Sequence, residues 1–102
     1  SNFRSAVMIV HDENKYLLRF RKDVSFLNKP IVKNKLESVP KDSYVLIDLC
    51  RADFIDKDVI DVINEFMHHA HLKNIQVEIR KSQFKAAHQS VGAQNGSKIK
   101  AA

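Results

Sequence analysis

The stretch Tyr44-Val45-Leu46-Ile47-Asp48-Leu49-Cys50 constrains the fold more than any other. It is almost continuously apolar, of strand length, and follows the turn-forming Lys41-Asp42-Ser43. A strand with one wet face alternates apolar and polar residues; one that does not alternate reads as covered on both faces, in the middle of a sheet. It is too short to cross a membrane. So is the longest purely apolar run, Ala6 to Val10, against the roughly 20 residues a span requires. No signal peptide is expected in this chain either.

The flanking segments build the rest. Phe3 to Val10 is rich in apolar and β-branched residues and predicts a strand. The polar break His11-Asp12-Glu13-Asn14 separates it from a second strand over Lys15 to Phe20, a spacing that predicts an antiparallel hairpin. Asn28 as cap and Pro30 in the first turn open a helix from about Lys29 to Ser38, with Val32, Leu36 and Val39 at helical spacing and Pro40 as its stop. Asp56 caps a second helix, whose first turns carry Asp58 and Asp61. Ile60, Ile63, Phe66, Met67 and Ala70 fall with Val59 in one arc of about 120°, a core-facing stripe. Lys73-Asn74 closes it, and Ile75, Val77 and Ile79 alternate with Gln76 and Glu78 as a last strand with one wet face. The order is ββαβαβ. Right-handed crossovers make the last three strands parallel and the first antiparallel to its neighbour. At 102 residues this is one small α/β domain, a two-layer or three-layer sandwich on a mixed sheet.

Glycine and charge remove whole function classes. Both glycines, Gly92 and Gly96, lie in the last eleven residues, so the folded part offers no Walker loop, dinucleotide fingerprint or nucleophile elbow. Residues 1 to 79 balance twelve basic against twelve acidic side chains. The net charge of +5 comes from Arg80, Lys81, Lys85, Lys98 and Lys100, so it is a property of the tail and argues against a nucleic-acid-binding fold. We divide the chain into a domain over 3–80, a weakly helical to disordered basic tail over 81–102, and residues 1–2, read as a tag-removal scar. In the tail, Phe84, Ala87 and Val91 allow a marginal helix from Lys81 to Val91.

No constellation carries chemistry. The single cysteine, Cys50, excludes an internal disulfide and a cysteine-based metal cluster and reads as a core thiol. His68, His69 and His71 share a helix but fall away from its apolar arc, and no further ligand completes a zinc set. Asp48, Asp53, Asp56 and Asp58 would suffice for magnesium if a phosphate cradle accompanied them; without one they read as caps and turn residues. Basic residues gather over Arg19 to Lys35 and acidic ones over residues 48 to 65, a dipolar pattern that suits a protein or membrane neighbour. The residues support an interaction module and no enzyme, with no cofactor and no metal.

Tyr44-Val45-Leu46-Ile47-Asp48-Leu49, then Ala52-Asp53-Phe54-Ile55-Asp56, an amphipathic helix and Ile75-Gln76-Val77-Glu78-Ile79, resemble the core of a STAS domain. Leu18 to Lys29, with Phe26-Leu27-Asn28, resembles the corresponding segment of STAS domains attached to SulP anion permeases. The resemblance spans roughly residues 6 to 80. It implies a STAS-like sandwich with a mixed four-stranded sheet and helices mainly on one face. It further implies a non-catalytic regulatory domain on the cytoplasmic side of the plasma membrane, excised from a sulfate or bicarbonate transporter. The partners implied are the transporter's own membrane domain and a homodimer mate or regulatory protein, with the tail against anionic lipid. Asp53, Asp56, Lys57 and Asp58, in the loop and start of the second helix, are the expected partner contacts.

Stand-alone STAS proteins, the anti-sigma-factor antagonists, carry a phosphorylatable Ser or Thr directly after the aspartate matched by Asp56. Here Lys57 and Asp58 follow it, and the chain has no threonine. An antagonist-like regulator lacking that hydroxyl is the alternative reading. A small phosphotransfer or metal enzyme built on the aspartates is a third.

Overall fold

The computed structural model describes residues 5–92 and 98–101. Strands β1 (Val7–Asp12), β2 (Lys15–Val24), β3 (Tyr44–Ile55), β4 (Gln76–Lys81) and β5 (Lys98–Ala101) form one sheet in sequence order. Helix α1 (Lys29–Glu37) lies between β2 and β3, and α2 (Lys57–His69) between β3 and β4. β1 is antiparallel to β2, while β2, β3 and β4 run parallel, as the crossover rule requires. The four strands expected are joined by a short fifth, β5, parallel to β4.

The hydrophobic pattern explains the core. Val45, Ile47 and Leu49 of β3 are fully buried with Leu18 and Phe20 of β2 and Ile79 of β4. Helix α1 contributes Val32 and Leu36, and α2 contributes Val59, Ile60, Ile63 and Met67, the arc anticipated from its spacing. Burying each such side chain is worth about 1.5–3 kcal/mol.

Four local details depart from the sequence reading. β3 does not stop near Cys50: it runs on to Ile55 beside a β2 that extends to Val24. Register shifts along β2 re-phase that pair, so Val24, Ala52 and Ile55 all reach the core. Second, the hairpin turns on Glu13-Asn14 alone, because Asp12 pairs with Lys15. The start of the strand expected from Phe3 lies outside the described residues. Third, Asn28 holds the N-cap position of α1 as expected but makes no side-chain cap bond there, because it also ends a 3-10 turn, Phe26–Asn28, that leads into the helix. Ser25 caps that turn: Leu27 N–H donates to Ser25 Oγ (3.2 Å), and Asn28 Oδ1 accepts from Ser25 N–H (2.9 Å).

The fourth concerns the second face of the sheet. β3 is central, but the helices cover one face only, giving two layers. On the other, Leu46 stays half-buried beside Leu17, and Cys50 further along β3 is half-buried as well. Met8 and Val10 of β1, on the same face, are 42% and 48% exposed.

Beyond β4, the expected marginal helix is replaced by turns and a 3-10 segment, Ala86–His88, that folds back as a strap. Its side chains reach distant backbone. His88 is fully buried, with Nε2 2.8 Å from Ala52 O, and its Nδ1 accepts from Ser82 N–H (3.2 Å). Asn64 of α2 donates to Ser90 O (3.1 Å) and accepts from Gly92 N–H (2.8 Å), while Val91 is fully buried.

Candidate functional site

The start of α2 is assembled by one carboxylate. Asp56 has extended backbone, and its Oδ1 accepts the N–H of Asp58 (3.2 Å), satisfying a helix-terminal donor. Its Oδ2 accepts the N–H of Phe26 (3.2 Å), and its own N–H donates to Val24 O (2.8 Å). Asp56 therefore ties the end of β2 and the turn before α1 to the first turn of α2. Both carboxylate oxygens already hold backbone donors, which suits a structural joint and leaves a poor general base.

The other expected contact residues gather at this end. Asp58 is exposed in the first turn. Lys57 pairs with Asp61 at 3.2 Å in an exposed i,i+4 bridge worth little to stability. Asp53, near the end of β3, pairs with Lys85 of the strap at 2.9 Å. That lysine also donates to Cys50 O (3.2 Å) and Ala52 O (3.3 Å).

Sequence reasoning missed what surrounds them. Phe26 is 58% exposed, Leu27 75%, Phe54 50% and Phe84 84%. Phe26 is held to Asp56 through its backbone, Phe54 adjoins Asp53, and Phe84 adjoins Lys85. All four lie on segments bonded to, or next in sequence to, the residues at the end of β3 and the start of α2, and we term this exposed apolar set the lip. A soluble surface rarely concentrates aromatic side chains without a partner for them. Alongside, α1 and α2 flank a groove of about 490 Å³ whose lining includes Lys29, Lys33, Asp58, Asp61, Leu36 and Phe66.

The remaining candidates are accounted for by local contacts. Asp48 is 3% exposed; its carboxylate accepts from Cys50 N–H (3.0 Å) and from Arg19 Nε (3.3 Å). Burial alone would raise its pKa, but the Cys50 hydrogen bonds and the Arg19 charge outweigh it and hold the carboxyl below its usual range. Burial, reinforced by Asp48, pushes the Cys50 thiol up, away from nucleophilic character. His69 faces Glu65 at 3.2 Å, and the Nδ1 of His71 lies 3.1 Å from His68 O. Among the described residues no three His, Cys, Asp or Glu side chains are gathered for a metal ion. Two basic residues of the tail turn inward: Lys85 as above, and Lys81 onto Gln89 O (3.3 Å) and Val91 O (3.0 Å), with burial lowering its pKa. They do not project as free charges toward a lipid surface. No described helix is long and apolar enough to cross a membrane.

Comparison with known proteins agrees with this architecture. The unphosphorylated anti-sigma factor antagonist SpoIIAA superimposes with a TM-score of 0.75 at 11% identity, over 95% of this chain and 89% of its own. The protein Mglu gives 0.64 at 18% identity over 82% of this chain, which spans only 23% of the Mglu chain. At these identities the likeness concerns the fold. No curated protein matches the sequence. The family model for the STAS domain matches residues 6–95, most of the chain. STAS domains act in regulation through contacts with other proteins, and the chain belongs to this family.

Proposed function

We propose that this STAS domain is the non-catalytic regulatory domain of a SulP-type sulfate or bicarbonate transporter, lying on the cytoplasmic side of the membrane. Asp53, Asp56, Lys57 and Asp58, framed by Phe26, Leu27 and Phe54, form its contact with the membrane domain or a regulatory protein. The observation that carries this is the apolar lip fastened to the α2 cap by the Phe26–Asp56 hydrogen bond. Lys57 and Asp58 support the transporter reading over an antagonist, because no hydroxyl follows Asp56 for a kinase to modify. Asp58 also places a fixed negative charge at the helix N-terminus, where it satisfies the dipole and disfavours a second anion.

The test is made in the full transporter. F54D and D58K should each lower anion uptake or assembly severalfold while the isolated domain stays folded, D58K losing only the about 1 kcal/mol that a charge at a helix N-terminus is worth. Uptake and assembly unchanged in both variants would overturn the reading. Tight binding of the isolated domain to an anti-sigma switch kinase would favour the antagonist instead.

A further inference from the structure

The two outer edges of the sheet are unlike. β5 reads Lys-Ile-Lys-Ala in sequence, and lysines are common on edge strands that do not pair with another chain. β1 carries only Asp12, at its far end, as protection of that kind. From Ser5 to Val10 it is free of charge and proline, and among the described residues nothing pairs with its outer side. Arg21 N–H donates to Ala6 O (3.0 Å), so by antiparallel alternation Met8 and Val10 face β2, while the N–H and C=O groups of Val7, Ile9 and His11 face outward. The Val7 donor is met only locally, by the exposed Ser5 Oγ (3.1 Å).

We propose that β1 pairs antiparallel with β1 of a second copy of this chain, in a register centred on Ile9. Ile9 then faces Ile9 of the other copy, and Val7 faces its His11, all with outward-pointing groups able to form ladder bonds. Met8 lies opposite Val10 of the other copy as a non-hydrogen-bonded pair, where side chains approach most closely. The two half-exposed apolar residues of this edge cover each other on both sides of the twofold axis. An identical strand is the occupant because pairing about Ile9 matches apolar to apolar at Met8 and Val10 in both halves. The contact is isologous, so it uses up both β1 edges and closes at two copies, with the lysine-bearing β5 strands at the outer ends. It is separate from the lip at the start of α2 and stands whichever partner engages that lip.

Sedimentation equilibrium on the full chain, from micromolar to millimolar concentration, tests this. The unmodified chain should dimerise. M8K/V10K should weaken the dimer tenfold or more, since lysines then face lysines across the axis. M8K/V10E, which sets opposite charges face to face in this register, should recover most of the loss. Both variants alter half-exposed side chains, and matching melting temperatures would show that folding is intact. A chain monomeric throughout, a dimer indifferent to M8K/V10K, or no recovery in M8K/V10E would each overturn the Ile9-centred pairing.

Discussion

The two ends of the parallel strands contrast sharply. At the end where β3 and β4 begin, polar groups close on one another. Asn14 donates to Asp42 O (3.3 Å), Asn74 donates to Asp42 Oδ1 (2.9 Å), and Asp42 N–H donates to Lys73 O (2.9 Å). Glu13, Asp42 and Asn74 turn there with φ of 53°, 66° and 52°, left-handed conformations that Asp and Asn tolerate better than most residues. At the opposite end, Asp56 ties the backbone together, yet three phenylalanines and a leucine stand in water. The first end is held by its own polar side chains and leaves one large apolar residue, Leu72, in water (71% exposed); the second leaves four. That difference, more than any titratable cluster, is what the proposed contact surface rests on.

The contrast can be broken at either end. The largest effect is expected from N74V: a β-branched side chain at positive φ, together with loss of the Asp42 bond, should cost about 2 kcal/mol in urea unfolding. Partner contact at the lip should survive in the molecules that remain folded. D56A, at the other end, should cost about 1 kcal/mol through the lost cap. It should also free the Phe26 and Asp58 amides, seen as faster hydrogen exchange confined to the 25–28 turn and the start of α2.

Acid acts between the ends. The Asp48 carboxyl titrates lower in the folded chain than in the unfolded one. Its contribution is therefore complete above the unfolded value of about 3.9 and disappears as pH falls through the lower folded value. Urea midpoints measured from pH 6 down to pH 2 should decline over that acid range, and D48N should remove this part of the decline. The smallest effect is expected from F26S/F54S, which should leave the midpoint within about 0.5 kcal/mol of the parent because both side chains already lie half or more in water.

What was legible in the sequence follows from periodicity. The arc from Val59 to Ala70 and the apolar run of β3 impose one burial pattern each, and both appear in the core. The unbroken run overstated the cover on β3, since Leu46 and Cys50 lie on the face the helices leave open. Residues whose position depends on distant partners carry no periodic signal. Phe26 and Leu27 look like core residues until the turn capped by Ser25 rotates them outward. Lys81, Lys85 and His88 look like parts of a loose basic tail until the carbonyls of Gln89 and Val91, Cys50, and Ala52 hold them. At the candidate site, the cap role of Asp56 was readable from its place before a helical stripe. Its second bond, to a backbone amide thirty residues away, was not.

The most direct test is thiol labelling at the lip. L27C and, as a control at the opposite end, K41C are introduced with Cys50→Ser, and each is reacted with a maleimide in the isolated domain and in the full transporter. The account expects both to react freely in the isolated domain and only L27C to be shielded in the transporter. Equal labelling of L27C in the two settings, or shielding at K41C alone, would contradict it.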